Sequence, residues 1–349
     1  MVDVFKGRGA RINPTNRFET LRYDLPMVDD DSVRPATQLF RDQTRSFITY
    51  NDSPDVGCDA TINPYRGCEH GCVYCYARPN HEYLGWSAGL DFETRLLVKE
   101  NAPELLRKEL SSPRWQPQCL MMSGITDCYQ PIERHLLLTR RCLEVLAQFR
   151  NPVHIVTKNR LITRDADLLA ELAGFRAAAC FLSVTTLDAE LQQRLEPRAS
   201  APQARLEAVR ELAERGIPTG VMIAPVIPGL TDHAIPAILA AARDAGAQFA
   251  GYVSLRLPFG VKGLFLDWLD RHYPEKKDKV LARVREIRGG KLNDSRFGDR
   301  MRGEGLFAEM VNGVFKVSCR KLGLTRAPEL SSAAFRRPGL EPLFASLAD

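Results

Sequence analysis

The sequence lacks the features of a membrane or secreted protein. No part of the 349-residue chain approaches the roughly 18 consecutive apolar residues that a membrane-spanning helix needs. The first nine residues, MVDVFKGRG, contain no apolar stretch of the kind found in secretory signals. There is no internal repeat and no long low-complexity stretch. We therefore expect a cytoplasmic globular protein that does not contact a membrane.

The chain also has few histidines and little excess charge. Four of its histidines show no shared spacing that would indicate a metal site: His135, His154, His233 and His272. The net charge of +5 permits an anionic substrate or nucleic acid but does not require one, because only clustered basic residues form a binding patch. The nearest clusters are the lysines at 276, 277 and 279 and the arginines at 296, 300, 302, 336 and 337. A solvated surface or a phosphate-binding face would explain either cluster.

Cysteine is the residue type with an informative distribution. Nine cysteines in a chain this long do not indicate a disulfide framework, and they are consistent with a reducing compartment. Three of them, Cys68, Cys72 and Cys75, lie within eight residues in the spacing C-x3-C-x2-C. Thiolates so close together repel one another unless a metal binds them, and sulfur ligands favour iron–sulfur clusters, zinc or copper(I).

Two kinds of metal site are compatible with this spacing. A cubane iron–sulfur cluster normally takes four cysteines, and the absence of a nearby fourth would leave one iron open to another ligand. The alternative is a structural zinc loop with His70 or His81 as the fourth ligand. Zinc sites usually combine two close ligands with two more distant ones, a pattern that is missing here.

The other cysteines are interpreted as structural. Cys119, Cys142 and Cys180 occur in apolar strand or helix patterns, where a free cysteine packs as a small hydrophobic residue. We also favour structural roles for Cys58 and Cys319.

Residues 55–290 alternate short β-type runs with amphipathic helices, which predicts an α/β fold with a parallel sheet. The predicted strands are 60–62, 119–122, 153–157, 178–185, 219–226 and 249–257. The predicted helices are 102–110, 133–149, a helix to 173 capped by Asp165, 202–215 and 232–245. Eight βα units close a TIM barrel, so six predict an open, partial (β/α)6 TIM-type barrel whose chemistry lies at the carboxyl ends of the strands. The cysteine loop follows the first strand, as this rule requires.

The flanking segments differ in composition from the predicted barrel. Residues 1–54 are rich in Arg, Asp, Asn and Pro and predict an extended N-terminal arm. Residues 291–349 contain basic, Gly-rich and helical pieces. We expect this C-terminal extension to close the open side of the barrel or to cover the substrate.

The cysteine spacing, with Tyr74 directly before the third cysteine, resembles the signature of the radical S-adenosylmethionine (radical SAM) enzymes. The resemblance implies a [4Fe-4S] cluster on Cys68, Cys72 and Cys75, with its open iron bound to the methionine part of S-adenosyl-L-methionine. It further implies reductive cleavage of that cofactor to a 5′-deoxyadenosyl radical, which abstracts hydrogen from an unknown substrate. An electron donor such as flavodoxin or ferredoxin would then be required.

Segments 155–158, 181–184, 196–200, 205–208 and 220–225 resemble the spore photoproduct lyase branch of that superfamily. The similarity covers about residues 58–260, and the whole chain looks most like uncharacterised bacterial relatives of the lyase. The resemblance implies that Lys158 and Ser183 contact the cofactor and that Tyr74 lies beside the adenine, with Tyr76 next to it. A lysine at the end of a strand also fits the cofactor's carboxylate, because a buried charge requires a partner.

The sequence departs from the family pattern in the loop after the second strand. Many radical SAM enzymes have a Gly-Gly-Glu segment there, whereas this chain has Ser123 and Thr126 as possible ligands of the cofactor's ammonium group. Alignment on Asp127 puts Gly124 where photoproduct lyases carry a hydrogen-donating cysteine. Cys128 is either a catalytic replacement for that cysteine or an ordinary buried residue. The C-terminal region does not resemble the lyase's DNA-binding end.

Three functions are therefore compared. The first is a radical SAM enzyme with an unknown substrate, and the second is lyase-like repair of a nucleic-acid lesion. The third is a non-catalytic, zinc-stabilised nucleic-acid-binding protein. Metal content separates the third from the others, because a cubane cluster contains about four irons and a structural site one zinc.

Overall fold

The computed structural model describes residues 7–19 and 35–338. Its strands are β1 Gln38–Arg41, β2 Thr49–Tyr50, β3 Ala60–Ile62, β4 Tyr65–Arg66, β5 Arg95–Val98, β6 Leu120–Met122, β7 Val153–Thr157, β8 Ala178–Ser183, β9 Thr219–Val226 and β10 Phe249–Ser254. Its helices are α1 Asp91–Thr94, α2 Ala102–Ser111, α3 Glu133–Leu136, α4 Leu138–Phe149, α5 Ala166–Gly174, α6 Ala189–Leu195, α7 Pro202–Glu214, α8 Ile235–Asp244, α9 Val261–His272, α10 Pro274–Glu286, α11 Asp299–Arg302 and α12 Gly305–Leu322.

The main sheet has the strand order β10-β9-β8-β7-β6-β3-β2. All neighbours from β10 to β3 are parallel, and only β2 pairs antiparallel, at the outer edge of β3. Within the described ranges β10 does not pair with β3 or β2, so the barrel is open. The six predicted parallel strands and the partial-barrel fold class are thus confirmed. A small second sheet, β1-β5-β4, lies outside the barrel.

Burial explains why the strand pattern could be read from the sequence. Every residue of β8 is buried, as expected for a central parallel strand covered by helices on one face and by core side chains on the other. The bounds of β3, β7 and β9 agree with the predicted ones. Strands β8 and β10 end earlier than predicted, at Ser183 and Ser254, and the polar residues that follow them line the carboxyl edge of the sheet.

One predicted helix is broken. Residues 133–149 form α3 and α4 because Leu137 between them has a left-handed φ of 54°. The break is stabilised by the buried Glu133, whose carboxylate accepts hydrogen bonds from the Thr139 backbone (3.1 Å) and the Tyr65 hydroxyl (2.5 Å). The spacing of hydrophobic residues, on which the helix prediction was based, gives no information about this polar interaction, so the break could not be predicted from it.

Asp165 has a different role from the predicted helix cap. It precedes α5, but its side chain makes no capping hydrogen bond. The fully buried carboxylate instead pairs with Arg164 at 2.7 Å and Arg140 at 3.1 Å, and it accepts a hydrogen bond from the Tyr129 hydroxyl at 3.1 Å.

The two flanking segments meet across the open side of the barrel. The described part of the arm supplies β1 and β2, whereas residues 1–6, 20–34 and 339–349 lie outside the described residues. Asp55, between β2 and β3, accepts hydrogen bonds from the Gly298 backbone (2.8 Å) and Arg300 Nε (2.5 Å). Because α11 packs on β10, this contact joins the two edge regions of the open sheet. The division of the chain at residues 54 and 290 stays a prediction.

Across residues 7–19 and 35–338 there is no helix with the length and apolar character needed to cross a membrane.

Candidate active site

The three clustered cysteines lie on a buried loop that follows β3 and β4. Cys68 and Cys72 are 7% and 8% exposed, and Cys75 is half-buried. Burial raises the pKa of all three thiols, and for Cys68 the nearby Asp127, Cys72 and Cys75 raise it further. Three neighbouring buried thiolates therefore require compensating positive charge, which a bound metal cluster would provide. The donor set fits an iron–sulfur cluster with three protein ligands.

The same residues do not form a site for a single metal ion. In the described part of the chain, no three His, Cys, Asp or Glu side chains converge on one ion position. A cubane cluster does not need such convergence, because each cysteine binds a different iron. His81, a possible zinc ligand, places Nε2 2.9 Å from the Arg95 carbonyl oxygen, and burial lowers its pKa to about 4. The geometry does not support the zinc hypothesis.

The buried ion pair of Arg78 and Glu93 packs against the backbone of the cysteine loop. The Arg78 guanidinium donates to the Cys72 carbonyl oxygen at 3.0 Å and to the Glu93 carboxylate at 2.5 Å. Glu93 also accepts hydrogen bonds from the backbone of Gly9 at 3.0 Å and of Ala10 at 2.8 Å. A Cβ atom at position 9 would overlap the Gly71 carbonyl oxygen, so glycine is required there. The N-terminal arm is thus packed against the cysteine loop itself.

His70 and Asp127 connect the cysteine loop to the carboxyl end of β7. His70 is 1% exposed, so it is not a solvent-facing loop residue, and its Nδ1 lies 3.3 Å from the Asp127 carboxylate. Asp127 also accepts hydrogen bonds from the Thr157 hydroxyl at 2.7 Å and the Lys158 backbone at 2.8 Å. Burial alone would raise the pKa of Asp127, but His70 and these hydrogen bonds hold it below its usual value.

A second buried network surrounds Glu196, directly after α6. Its carboxylate accepts hydrogen bonds from the hydroxyls of Tyr74 and Thr185 and from the Arg205 guanidinium. The Lys158 Nζ lies 3.3 Å from it. Burial opposes ionisation of Glu196, yet Arg205, Lys158 and the two hydroxyls hold its pKa well below the usual range. The carboxylate is therefore ionised.

The charges of this network do not cancel. Within this group of three charged side chains, two cations, Lys158 and Arg205, share the single carboxylate of Glu196. Both Glu196 and Lys158 act on the thiol of Cys72, so the network adjoins that cysteine. The Lys158 side chain is 15% exposed, and its Nζ also donates to the Ala224 carbonyl oxygen at 2.8 Å. Such a site is suited to an anionic group.

The structure therefore brings together three of the predicted cofactor ligands. Tyr74 and Lys158 meet at Glu196, and the Lys158 Nζ lies 5.8 Å from the centre of the Tyr74 ring. Ser183 ends β8 next to them, and its carbonyl oxygen accepts a hydrogen bond from Arg205 at 2.8 Å. The Ser183 hydroxyl makes no hydrogen bond to other described residues and is available to a ligand.

Ser123 and Thr126 have local partners. The Ser123 hydroxyl accepts a hydrogen bond from the Cys128 backbone at 2.9 Å, in a residue with a left-handed φ of 71°. The buried Thr126 hydroxyl donates to the Tyr65 carbonyl oxygen at 2.7 Å. Both side chains order the loop after β6, and their role as ammonium ligands stays a prediction.

Cys128 directly follows Asp127, and its thiol interacts with the Ser123 and Thr139 hydroxyls. It is fully buried in the main hydrophobic core, and burial raises the pKa of its thiol well above the usual value. Its carbonyl oxygen accepts a hydrogen bond from the buried Thr139 hydroxyl at 2.6 Å, which fixes its backbone. This placement favours the structural interpretation, and hydrogen donation by Cys128 stays a prediction.

Tyr76 lies at the rim of the site, in a group that we call the mouth patch: Tyr76, Arg256, Phe297 and Arg300. The Tyr76 side chain is 46% exposed, and its hydroxyl donates to the Gly124 carbonyl oxygen at 2.5 Å. The Arg256 guanidinium lies 5.2 Å from the centre of the Tyr76 ring, and its buried Nε has no partner among the described residues. Arg300 lies 4.4 Å from the centre of the exposed Phe297 ring. Because Arg300 pairs with Asp55, the uncompensated positive charge of the patch lies on Arg256, beside exposed aromatic surface.

Several residues of the site were not predicted as functional. Glu196 and Arg205 lie within segments that carried the family resemblance, but nothing in their spacing shows that they pair. Arg78 and Glu93 are 15 positions apart and fully buried, and they meet only because the loop folds back. Arg256 could have been noted, since it follows the last strand at the edge where barrel chemistry occurs.

The sequence matches known proteins over much of its length. The family model of the Radical SAM superfamily matches residues 62–242, just over half of the chain. An uncharacterised protein of Mycobacterium tuberculosis is 37% identical over 229 residues, which cover 65% of this chain and 66% of that protein. The chain thus spans slightly less than two thirds of this relative. A Pseudomonas phage M6 protein named radical SAM Nalpha-GlyT isomerase is 28% identical over 218 residues, covering 62% of this chain and 43% of that protein.

Solved structures show the same fold. A spore photoproduct lyase complexed with dinucleoside spore photoproduct has a TM-score of 0.59 and 16% identity, covering 83% of this chain and 81% of that one. A lyase variant with bound AdoMet and the same dinucleoside has a TM-score of 0.60 and 15% identity, covering 83% and 82%. These similarities identify the open barrel with the fold of the lyase.

Proposed function

The chain belongs to the radical SAM superfamily, and from this premise we propose that it binds a [4Fe-4S] cluster on Cys68, Cys72 and Cys75 and cleaves S-adenosyl-L-methionine beside it. The observation that supports this most directly is that two cations, Lys158 and Arg205, share the single carboxylate of Glu196 next to Cys72. A carboxylate bound there would complete the charge balance in a largely buried site, where an unpaired cation is costly.

The proposed roles follow from position. Lys158 binds the cofactor's carboxylate, and the unpaired Ser183 hydroxyl adds a hydrogen bond. Glu196 orients Lys158 and fixes the Tyr74 ring, which packs against the adenine. Ser123 and Thr126 would bind the cofactor's ammonium group through hydroxyl oxygens that also order the loop after β6. When bound, the cluster and cofactor supply reductive cleavage to a 5′-deoxyadenosyl radical, which takes hydrogen from the substrate.

Burial of the loop serves the same chemistry. Cys68, Cys72 and Tyr74 are each less than 9% exposed, so the chain itself keeps water from the cluster side of the site. We place substrate entry at the mouth patch, whose Tyr76 and Phe297 side chains are 46% and 53% exposed. An electron donor such as flavodoxin or ferredoxin would reduce the cluster.

Product analysis tests this function. The protein is purified without oxygen, reconstituted with iron and sulfide, and incubated with dithionite and S-adenosyl-L-methionine. We expect absorbance near 400 nm, about four irons per chain, and 5′-deoxyadenosine detected by mass spectrometry. A protein that retains the cluster yet forms no 5′-deoxyadenosine with any reductant would contradict the enzymatic proposal.

A second candidate function is lyase-like chemistry on a nucleic acid. It is supported by the fold shared with a spore photoproduct lyase complexed with dinucleoside spore photoproduct, and by the mouth patch. Arginine with exposed aromatic rings is suited to phosphates and unstacked bases. Gly124 argues against repair itself, because it lies where photoproduct lyases carry a hydrogen-donating cysteine. An added Cβ at Gly124 would lie 3.3 Å from Thr61 Cγ2, which is a tight contact.

Binding to damaged DNA tests this candidate. We expect an oligonucleotide with a thymine lesion to bind with an affinity that falls as salt rises. An Arg256→Gln variant should bind several-fold more weakly, whereas Arg326→Gln, a substitution distant in sequence on the C-terminal extension, should not differ from the parent protein. Absence of binding at low salt would contradict the nucleic-acid candidate. The radical SAM function would then apply to a substrate of another class.

A further inference from the structure

Two cysteines outside the active site lie in contact. The Sγ atoms of Cys58 and Cys119 are 2.9 Å apart. Cys58 lies two residues before β3 and Cys119 one residue before β6, and these neighbouring parallel strands pair Ala60 with Leu120. The two thiols are therefore at the amino ends of the strands, opposite the edge that carries the cysteine loop. Packing as separate small hydrophobic residues does not account for this contact.

The pair has the properties of exchangeable thiols. Cys58 is 4% exposed and Cys119 is half-buried, so one member of the pair can be reached from solvent. The hydrogen bond between the two thiols lowers the pKa of Cys58, against the opposing effects of burial and Asp59, and it raises the pKa of Cys119, which favours the thiolate on Cys58. By contrast, Cys142 and Cys180 are fully buried, and burial is the largest cause of the raised pKa of each thiol.

We propose that Cys58 and Cys119 form a reversible disulfide by exchange with a small-molecule disulfide such as glutathione disulfide. The thiolate of one cysteine attacks a sulfur of the small disulfide and releases one small thiolate. The second cysteine gives its proton to water, attacks the mixed disulfide and releases the second small thiolate. The protein is oxidised by two electrons, the small disulfide is reduced to two thiols, and a protein S–S bond is formed. A bond of about 2.05 Å requires the sulfurs to approach by less than about 1 Å, so little backbone movement is needed.

The bond would fix a segment that reaches the open side of the barrel. The Asn51 side chain donates to the Cys58 carbonyl oxygen at 3.0 Å, and Asp55 in the same segment pairs with Arg300. The closed loop from 58 to 119 would also contain the entire cysteine loop. Because cross-linking a long loop reduces the entropy of the unfolded chain, the oxidised protein should be the more stable form.

Peptide mapping of the cluster-loaded protein tests the proposal. The protein is equilibrated anaerobically with mixtures of glutathione and glutathione disulfide, quenched with acid, alkylated and digested with trypsin. We expect a cross-linked pair of peptides covering 46–66 and 115–134, which disappears after reduction with dithiothreitol. The second peptide contains both Cys119 and Cys128, so fragmentation must assign the bond, and a Cys128→Ser variant should still form it. Cys142 should remain alkylated throughout.

Single variants and thermal unfolding complete the test. Cys58→Ser and Cys119→Ser should lose the cross-linked peptides, and glutathione disulfide should raise the unfolding midpoint of the parent protein but not of either variant. Two free thiols in excess glutathione disulfide, or mixed glutathione adducts without a cross-link, would overturn the proposal. An equal midpoint shift in Cys58→Ser would also overturn it, because the shift would then come from other thiols.

Discussion

At the scale of single residues, the site is built on buried charged side chains that each need a partner. Glu93 and Glu196 are fully buried, and each is held by an arginine, Arg78 or Arg205, together with other donors. Removing one partner of such a pair leaves an uncompensated charge, which is more costly than losing the contact alone. The cysteines, by contrast, are raised in pKa by burial although Lys158 and Arg205 act on Cys72 and Arg78 acts on Cys75, so the proposed cluster would supply the remaining positive charge.

Cys72→Ala should abolish retention of the cluster, because two cysteines cannot replace the three-ligand set. We expect loss of absorbance near 400 nm and of most of the iron after reconstitution and desalting. Cys142→Ala, which removes a fully buried thiol from α4, should retain both. A Cys72→Ala protein that still contains about four irons would show that the ligand assignment is wrong.

Lys158→Met should weaken binding of S-adenosyl-L-methionine by about 10- to 100-fold, because a charged hydrogen bond contributes about 1.5–3 kcal/mol. The substitution keeps the length of the side chain but leaves the Arg205–Glu196 pair without net charge. Equilibrium dialysis of the cluster-loaded protein measures the affinity. Arg160→Met removes an exposed charge two residues away, paired with Glu207 at 2.5 Å, and should change it little. Equal affinity in Lys158→Met and the parent protein would show that Lys158 does not bind the cofactor.

At the scale of elements, the ends of the strands carry the site, and Glu196 connects several of them. It binds Tyr74 of the cysteine loop, Thr185 after β8, Lys158 after β7 and Arg205 of α7. Glu196→Gln should therefore reduce the free energy of unfolding by about 3–5 kcal/mol, since two buried cations lose their counter-charge. Urea unfolding measures this loss. Glu207→Gln, at an exposed pair, should cost less than about 1 kcal/mol.

The same carboxylate predicts an acid limit of stability. The pKa of Glu196 is lower in the folded protein than in the unfolded chain, so its contribution is complete above the unfolded value of about 4.3. That contribution is lost as the pH falls below this value toward the folded pKa. Urea unfolding between pH 5 and pH 3 should give a shallower decline for Glu196→Gln than for the parent protein. Parallel curves would contradict this assignment.

Periodic patterns in the sequence allowed the strands and helices to be predicted. Features that depend on polar contacts between residues far apart in the sequence could not be predicted in this way. The alternation of apolar runs gave β3, β7 and β9 with their bounds, and the cysteine spacing gave the loop. The break at Leu137 depends on Glu133 meeting Tyr65, two residues that are distant in sequence. The partners of Glu196 and Glu93 depend likewise on tertiary contacts.

At the scale of the whole molecule, the open barrel is bridged by its own terminal segments. Asp55 and Arg300 join the region of β2 and β3 to α11 and β10. Arg300→Ala should therefore increase backbone hydrogen exchange in residues 51–58 and 293–303, measured by mass spectrometry, without changing exchange in β8. Arg296→Ala removes a 58% exposed side chain that pairs only within its own segment, and it should have little effect. Unchanged exchange in Arg300→Ala would show that the bridge does not hold the two segments together.

The packing of Gly9 and Ala10 on Glu93 has a practical consequence for anyone preparing this protein. A shortened polypeptide that starts after residue 10 would contain every cysteine and the whole barrel, yet Glu93 would lose two of its donors and Arg78 would be less firmly placed behind Cys72. We expect such a preparation to lose its brown colour during gel filtration while its circular dichroism spectrum stays that of a folded α/β protein. Gly9 and Ala10 therefore support the proposed cluster site from outside the cysteine motif.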